Sequence, residues 1–525
     1  MTMTTPEPLS GAPAPTVAAS GAAERRLHPL SWLFVLIQQL KQFIVPLAAL
    51  LLFGRGDDDP YGSQWWPLVG VGVLALLSIW QYFTYRYRIE DDSLVVRSGV
   101  LQRSLRQIPF ARIHNVAVHQ SLLHRLFGVA EVRLESAGGR KPEAQMRVLR
   151  LADALALEAL VRRRGAVRAT TPAEADRGAG ADAEAADANA TGHVLLRLPL
   201  AEVLRLGLVS NRGLIVLGGG FAALSQFNSR LLSNLFEDWG QALFGFAGQH
   251  HFGVAQYALA GASLLLAFVL LLRVFSIALA LLQYFGFRLE QHGRRLTVER
   301  GLLTRLRTSV PRRRIQAWTL REGLLHRWLR RRGLQIDTAA AAEHNGQQRT
   351  LRELAPIATP DTCDALVRQL LPRAQWPPSQ WLPLHRRAWL RLWLPSLAWT
   401  ALVVAALCWR FGAWGLLALA WLPWAAFVAR QHARRAGYAC DERLVALREG
   451  WWSRHWRFAE IDKLQALQLS QSPLDRRFAM ATLWLDTAGA GAFGPPLRMR
   501  YLPVDDARAL HARLGHAVAR RRLRW

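Results

Sequence analysis

Residues 97–137 read RSGVLQRSLRQIPFARIHNVAVHQSLLHRLFGVAEVRLESA, residues 299–339 read ERGLLTRLRTSVPRRRIQAWTLREGLLHRWLRRRGLQIDTA, and residues 448–488 read REGWWSRHWRFAEIDKLQALQLSQSPLDRRFAMATLWLDTA. With Gly99, Gly301 and Gly450 set level, the three stretches run to Ala137, Ala339 and Ala488 without a gap. A register held that long marks an internal triplication. Each copy opens with a polar turn before its glycine, a position that favours positive φ, and continues in short β-like runs. Val132/Leu134, Leu334/Ile336 and Leu483/Leu485 alternate with polar residues as a half-buried strand does. An amphipathic helix is expected after each copy, over 153–164, 361–371 and 505–521, the second stopped by Pro372. The simplest unit is a small curled sheet closed by one helix.

Outward from the copies lie six apolar segments in pairs, roughly 36–53 and 66–83, 206–224 and 254–285, and 390–409 and 414–429. A hydrocarbon core of about 30 Å takes about 20 helical residues, so six spans in three hairpins are expected, the third shortest and interrupted by Pro395 and Pro423. Before the first, Leu33, Leu36, Ile37, Leu40 and Ile44 recur at helical spacing, which predicts an interfacial entry helix. The turns inside the hairpins hold only Arg55, Arg230 and Arg410 of 66 Lys and Arg residues. By the positive-inside rule those turns face out, and the long stretches face the cytoplasm of a bacterial inner membrane. The same rule accounts for the net charge of +28 without invoking nucleic acid. Between the first and second hairpins, 169–192 is rich in Ala, Asp, Glu and Gly and reads as a disordered linker.

The glycine turn, IPFARIHNV, QSLLHRLFG, the ending LESAGG and the entry phrase LHPLS at 27–31 resemble the membrane-anchored bacterial pleckstrin-homology-like family in its long, YdbT-like, three-copy form. The likeness covers most of the chain from Leu27 onward, specific in the first copy, looser in the second and outline only in the third. It implies a bent antiparallel β-barrel with a C-terminal helix. The expected fold class is therefore a multi-pass α-helical membrane protein carrying three α+β pleckstrin-homology-like domains. The partition is a tail 1–26, entry helix and hairpin 27–84, module 85–165, linker 166–194, hairpin 195–285, module 286–374, hairpin 375–430 and module 431–525.

Counted from the aligned glycine, a base recurs at +4 (Arg103, Arg305, Arg454), at +13 (Arg112, Arg314, Lys463) and at +26 (Arg125, Arg327, Arg476), and an acid at +36 (Glu135, Asp337, Asp486). The +26 bases and +36 acids are expected to pair within a module as structural braces. The +4 bases, and more weakly the +13 bases, are candidates for lipid headgroups or an acidic partner. His114, His119 and His124 stand five apart, a spacing that suits neither one helix face nor one strand face, so no metal site is expected. Cys363, Cys408 and Cys440 lack metal-ligand spacing and form no disulfide framework. Gly218–Gly220 fall inside a span, where small residues permit close helix packing. No phosphate loop, nucleophile elbow or zinc helix motif is found, and no cofactor is expected. Arg273, deep in an apolar segment, either snorkels or faces a polar interior. These readings favour a non-enzymatic membrane scaffold that binds lipids or a membrane or cytoplasmic protein. The alternative is a regulatory or pore-forming subunit of a transport system.

Overall fold

A computed structural model describes residues 25–26, 28–37, 85–90, 93–99, 104–110, 113–136, 144–167, 192–227, 254–338, 351–487 and 497–520, with residue 237 and scattered positions between 69 and 84. The chain divides into two compact units, one of residues 1–113 and 144–171, the other of 114–143 and 172–525. The first hairpin, most of the entry helix and the linker lie outside the described residues, apart from helical 31–37 and those scattered positions.

In the first unit, β1 (Arg25–Arg26), β2 (Arg86–Ile89), β3 (Ser93–Ser98) and β4 (Ser104–Pro109) form a four-stranded antiparallel sheet in that order. Arg25 stands opposite Tyr87, so a strand from before the hairpin joins strands from after it. The other unit takes up the first copy again with β5 (Ile113–Gln120), α1 (Leu122–Leu126) and β6 (Val129–Ser136), after which β7 (Ala144–Arg150) and α2 (Leu151–Val167) return to the first.

The second copy begins at β8 (His193–Arg197), before its hairpin of α3 (Leu200–Val209), α4 (Arg212–Phe227) and α5 (Val254–Tyr284). It resumes as β9 (Arg288–His292), β10 (Arg295–Arg300), β11 (Arg305–Pro311), β12 (Ile315–Glu322), α6 (Leu324–Trp328), β13 (Arg332–Thr338), β14 (Glu353–Ala358) and α7 (Pro360–Leu370). The third copy repeats the plan: β15 (Leu382–Pro383), α8 (Ala388–Phe411), α9 (Trp421–Arg435), β16 (Gly437–Cys440), β17 (Leu444–Glu449), β18 (Arg454–Glu460), β19 (Leu464–Ser470), α10 (Pro473–Arg477), β20 (Met480–Thr487), β21 (Leu497–Pro503) and α11 (Val504–Ala519). Because β8 pairs with β9 and β15 with β16, each of these hairpins is an insertion inside the sheet, whereas the sequence partition started each module after its hairpin.

The sheets do not respect the copies. β11 of the second copy pairs with β5 of the first, and β18 of the third with β12 of the second, giving the strand runs β6-β5-β11-β10-β9-β8 and β14-β13-β12-β18-β17-β16-β15. The cores interleave accordingly. Phe458 of the third copy stacks on Trp376 at 4.1 Å and on Trp318 at 6.3 Å in the second copy's core, while Val445, Leu447 and Ala459 point into the third copy's own. Burial on both faces explains why 444–447 is apolar without alternation.

Among the described residues, two helical runs are long and apolar enough to cross a membrane, Ala255–Tyr284 and Ala388–Arg435. The 48-residue second run is itself a hairpin: α8 ends at Gly412, whose φ is +60°, and Trp393 Nε1 donates to Leu422 O at 3.3 Å to hold the returning arm. The first arm of the second hairpin departs from expectation. It breaks at Ser210–Asn211, because α3 buries Val203, Leu206 and Val209 and only the shorter apolar helix beginning at Arg212 continues. Arg273 fills the break, its Nη1 donating to Leu208 O at 3.0 Å, and Ser276 Oγ donates to Ser210 O at 2.7 Å. The lone cation in the apolar helix thus satisfies carbonyls that a broken helix exposes.

Candidate membrane-facing surface

The aligned glycines build the surface. Gly301 sits at φ +113° and Gly450 at φ +90°, and a Cβ on either would come within 1.9 Å of a backbone oxygen, so only glycine closes the turn. In the second copy that turn is tied to the end of the long apolar helix, Gly301 N donating to Phe285 O at 2.9 Å and Leu302 N to Leu282 O at 3.0 Å. In the third, Trp451 packs edge-on against Phe427 of α9 at 5.5 Å and against Trp452 at 5.1 Å. Both opening turns therefore lie where the apolar helices leave the sheets, and the tryptophans suit the water–lipid boundary.

The short helices α1, α6 and α10 come to the same end. Arg125 of α1 donates from Nη1 to Leu302 O at 2.8 Å, and Arg327 of α6 donates to Trp451 O at 3.4 Å, so each reaches the opening turn of the following copy. α10 is held by the third hairpin itself, Arg391 of α8 pairing with Asp475 at 2.8 Å and donating to Ser472 Oγ at 3.1 Å. Burial would raise the Asp475 carboxyl, but hydrogen bonds from Ser472 and Arg391 outweigh it and hold the group below its ordinary range. Held in these ways, the helices turn apolar side chains outward: Leu122, Leu126 and Phe127 on the first, Leu324 and Trp328 on the second, Leu474 on the third. Leu126 and Trp328 are each 77% exposed, which a water-facing surface does not favour.

The recurring charges distribute differently from expectation. Arg327 and Asp337 do not brace one another, since Asp337 pairs with Arg457 of the next copy at 2.7 Å and Arg327 goes to the Trp451 carbonyl. Arg125 likewise serves the next copy, and the side chain of Glu135 lies outside the described residues. Arg476 and Asp486 are exposed and show no ion pair among the described residues. In the second copy the intramodule brace is therefore corrected to a brace between copies, because the sheet runs through the junction. Of the +4 bases, Arg305 is exposed at the foot of β11, and Arg454 stands 4.0 Å from Glu322 across the junction. The +13 bases sit at the opposite end of β11 and β18 from the opening turns, about 20 Å away at 3.3 Å per residue. Lys463 Nζ donates to Arg313 O at 2.8 Å, and burial together with Arg313 and Arg295 pushes the Arg314 guanidinium down to about 10. Arg314 and Lys463 therefore do not share with Arg305 and Arg454 the end at which the apolar helices leave the sheets. Arg103 and Arg112 lie outside the described residues.

Two clusters escaped the sequence reading. Arg457 is 1% exposed, and its guanidinium is lowered by burial against the support of Asp337. At the foot of the second hairpin, Glu353 accepts from Tyr284 and pairs with Arg212 at 2.8 Å and Arg300 at 3.3 Å, joining helix to sheet. The Glu353 cluster does not recur at aligned positions, and the +7 arginine stands in the first and third copies as Arg106 and Arg457 but is Thr308 in the second, so no base recurs there in all three. Of the histidines, His124 Nδ1 lies 2.6 Å from Ser121 Oγ, His119 lies 3.9 Å from Glu131, and the side chain of His114 is outside the described residues.

A sheet-and-helix unit repeated three times, each copy carrying the glycine turn, meets a known description: residues 34–165, 245–370 and 390–518 match the bacterial PH domain. The chain belongs to the bacterial PH domain family. It is also similar to the transmembrane protein YdbT of Bacillus subtilis strain 168, 22% identical over 470 residues that cover 87% of this chain and 92% of that protein. No solved structure matches. The bacterial PH domains here are transmembrane-anchored and each hairpin that is described opens inside its sheet.

Proposed function

We propose that the protein is a non-enzymatic scaffold of the bacterial inner membrane, whose cytoplasmic PH domains rest on the anionic leaflet and present their outer ends to protein partners. The observation that carries this reading is the shared end: exposed leucines and aromatics of α1, α6 and α10, and the bases Arg125, Arg305, Arg327 and Arg454, all stand where the apolar helices emerge. Apolar side chains entering the headgroup region with bases around them give the hydrophobic and electrostatic attraction of an interfacial helix. Anionic lipid attracts each juxtamembrane base by about 1 kcal/mol, weakening with salt.

The test uses the full chain in nanodiscs, with a bimane on Leu126→Cys or Trp328→Cys and brominated lipid as quencher. Strong quenching is expected, greater with anionic than neutral lipid at low salt and reduced by Arg305→Glu. Probes quenched by aqueous iodide but not by bromolipid would refute leaflet docking.

A further inference from the structure

The two junctions between copies use one register. Arg305, Leu306, Arg307 and Thr308 stand opposite Gln120, His119, Val118 and Ala117. Arg454, His455, Trp456, Arg457 and Phe458 stand opposite Glu322, Arg321, Leu320, Thr319 and Trp318. Counted from the aligned glycines, +4 meets +21, +5 meets +20, +6 meets +19 and +7 meets +18 in both cases. A +26 arginine caps the following opening turn at each junction, and at the second a +36 acid pairs with a +7 arginine.

Three copies joined this way leave one half-junction at each end. Among the described residues, β4 is an outer strand of the four-stranded sheet, and β19 is an outer strand of the last, three-stranded sheet. Each is the strand that its counterpart uses for pairing. The burial differs as an unfilled junction requires: +7 and +8 are buried in β11 and β18 but are the exposed Arg106 and Gln107 in β4. β12 is buried along nearly its whole length, whereas β19 exposes Gln465, Ala466 and Gln468. Leu105, at +6 where Trp456 packs in the third copy, is 72% exposed. Arg476 and Asp486, whose equivalents Arg327 and Asp337 are held by the next copy, face solvent, and the first copy supplies an arginine at +7, Arg106.

We propose that β19 of one molecule pairs with β4 of a second copy of this chain, head to tail, in the register of the internal junctions. Leu469 then faces Leu105, Gln468 faces Arg106, Leu467 faces Gln107, and Asp486 pairs with Arg106. An unpaired strand edge is a template for such addition, and the occupant is this chain because its own first copy carries the complementary strand, arginine and turn. The interface is heterologous, so it propagates as a ring or a row. The internal junction keeps the opening turns of both copies at the end where the apolar helices emerge, so an added molecule keeps its hairpins in the same membrane. The inference is independent of leaflet docking.

The test is made in native membranes, with two tagged full-length versions co-expressed, one carrying Leu105→Cys and the other Leu469→Cys. Directly opposed residues in an antiparallel pair bring Cβ atoms to about 4.5–5.5 Å, so mild oxidation should yield a species with both tags at twice the mass. Neither version alone should give it, nor should Gln465→Cys in place of Leu469→Cys. A chain carrying both cysteines should give a ladder. Asp486→Arg in the Leu469→Cys partner should reduce the product at least fivefold, and Arg106→Asp in the Leu105→Cys partner should restore it. Absence of the mixed product, the same yield from Gln465→Cys, a doubly substituted chain that cross-links only within itself, or failure of the reciprocal charges to restore the product would each overturn the proposal.

Discussion

Asp337→Ala tests whether the copies are joined energetically as well as in register. The substitution leaves the Arg457 guanidinium, 1% exposed and 2.7 Å from its carboxylate partner, buried without a counter-charge among the described residues. Removing one partner of a buried pair costs about 3 to 5 kcal/mol, and the half-open Asp337 side, 17% exposed, sets the lower figure of about 3 kcal/mol. Thr319 Oγ1 at 3.3 Å cannot make up for a lost charge. The loss should be local: amide exchange in β12 and β18, followed in detergent micelles, should accelerate on the order of a hundredfold, since 1.4 kcal/mol is tenfold. β20 and β21, on the far side of the third core, should change little. Asp337→Ala with Arg457→Leu should recover most of the protection, because an apolar side chain tolerates the site and leaves no charge unpaired. Acceleration below threefold in the single variant, or a double variant no better than the single, would refute the view that this pair clamps the junction.

Gly450→Ala should destabilise the third copy by about 2 kcal/mol through strain at φ +90° and a Cβ placed 1.9 Å from Ser453 O, read as a lower melting temperature. Burial, opposed by Glu322, holds the His326 imidazole below 6.5, so the unfolded chain takes up more protons as pH falls through that value. Stability should be full above about pH 6.5 and decline from there toward the lower folded-state value, and His326→Gln should remove that decline in melts at pH 7.5 and 5.5. Burial pushes the Cys363 thiol up to about 12, so it should resist maleimide in the native protein and react only after denaturation. The proposed cytoplasmic orientation is therefore better read from Arg508→Cys, on an exposed helix face, which should label in lysed but not intact spheroplasts.

The triplication, the family and the strand-then-helix plan of each copy were legible in the sequence, because a repeated glycine turn and alternating apolar residues are local signals. The closing helices predicted at 153–164, 361–371 and 505–521 fall on Leu151–Val167, Pro360–Leu370 and Val504–Ala519. Recurrence also singled out +26 and +36, where Arg125, Arg327 and Asp337 meet the next copy, but could not say whom they serve. Whether Asp337 meets Arg327 of its own copy or Arg457 of the next depends on a sheet running through the junction, a contact between residues more than a hundred positions apart. The same holds for Arg273, whose place in an apolar helix makes sense only beside the break at Ser210. Local periodicity determined what each copy is, and only the tertiary structure decided that copies share their sheets, because β-pairing is made by backbone groups that carry no record in sequence of which edge they will meet.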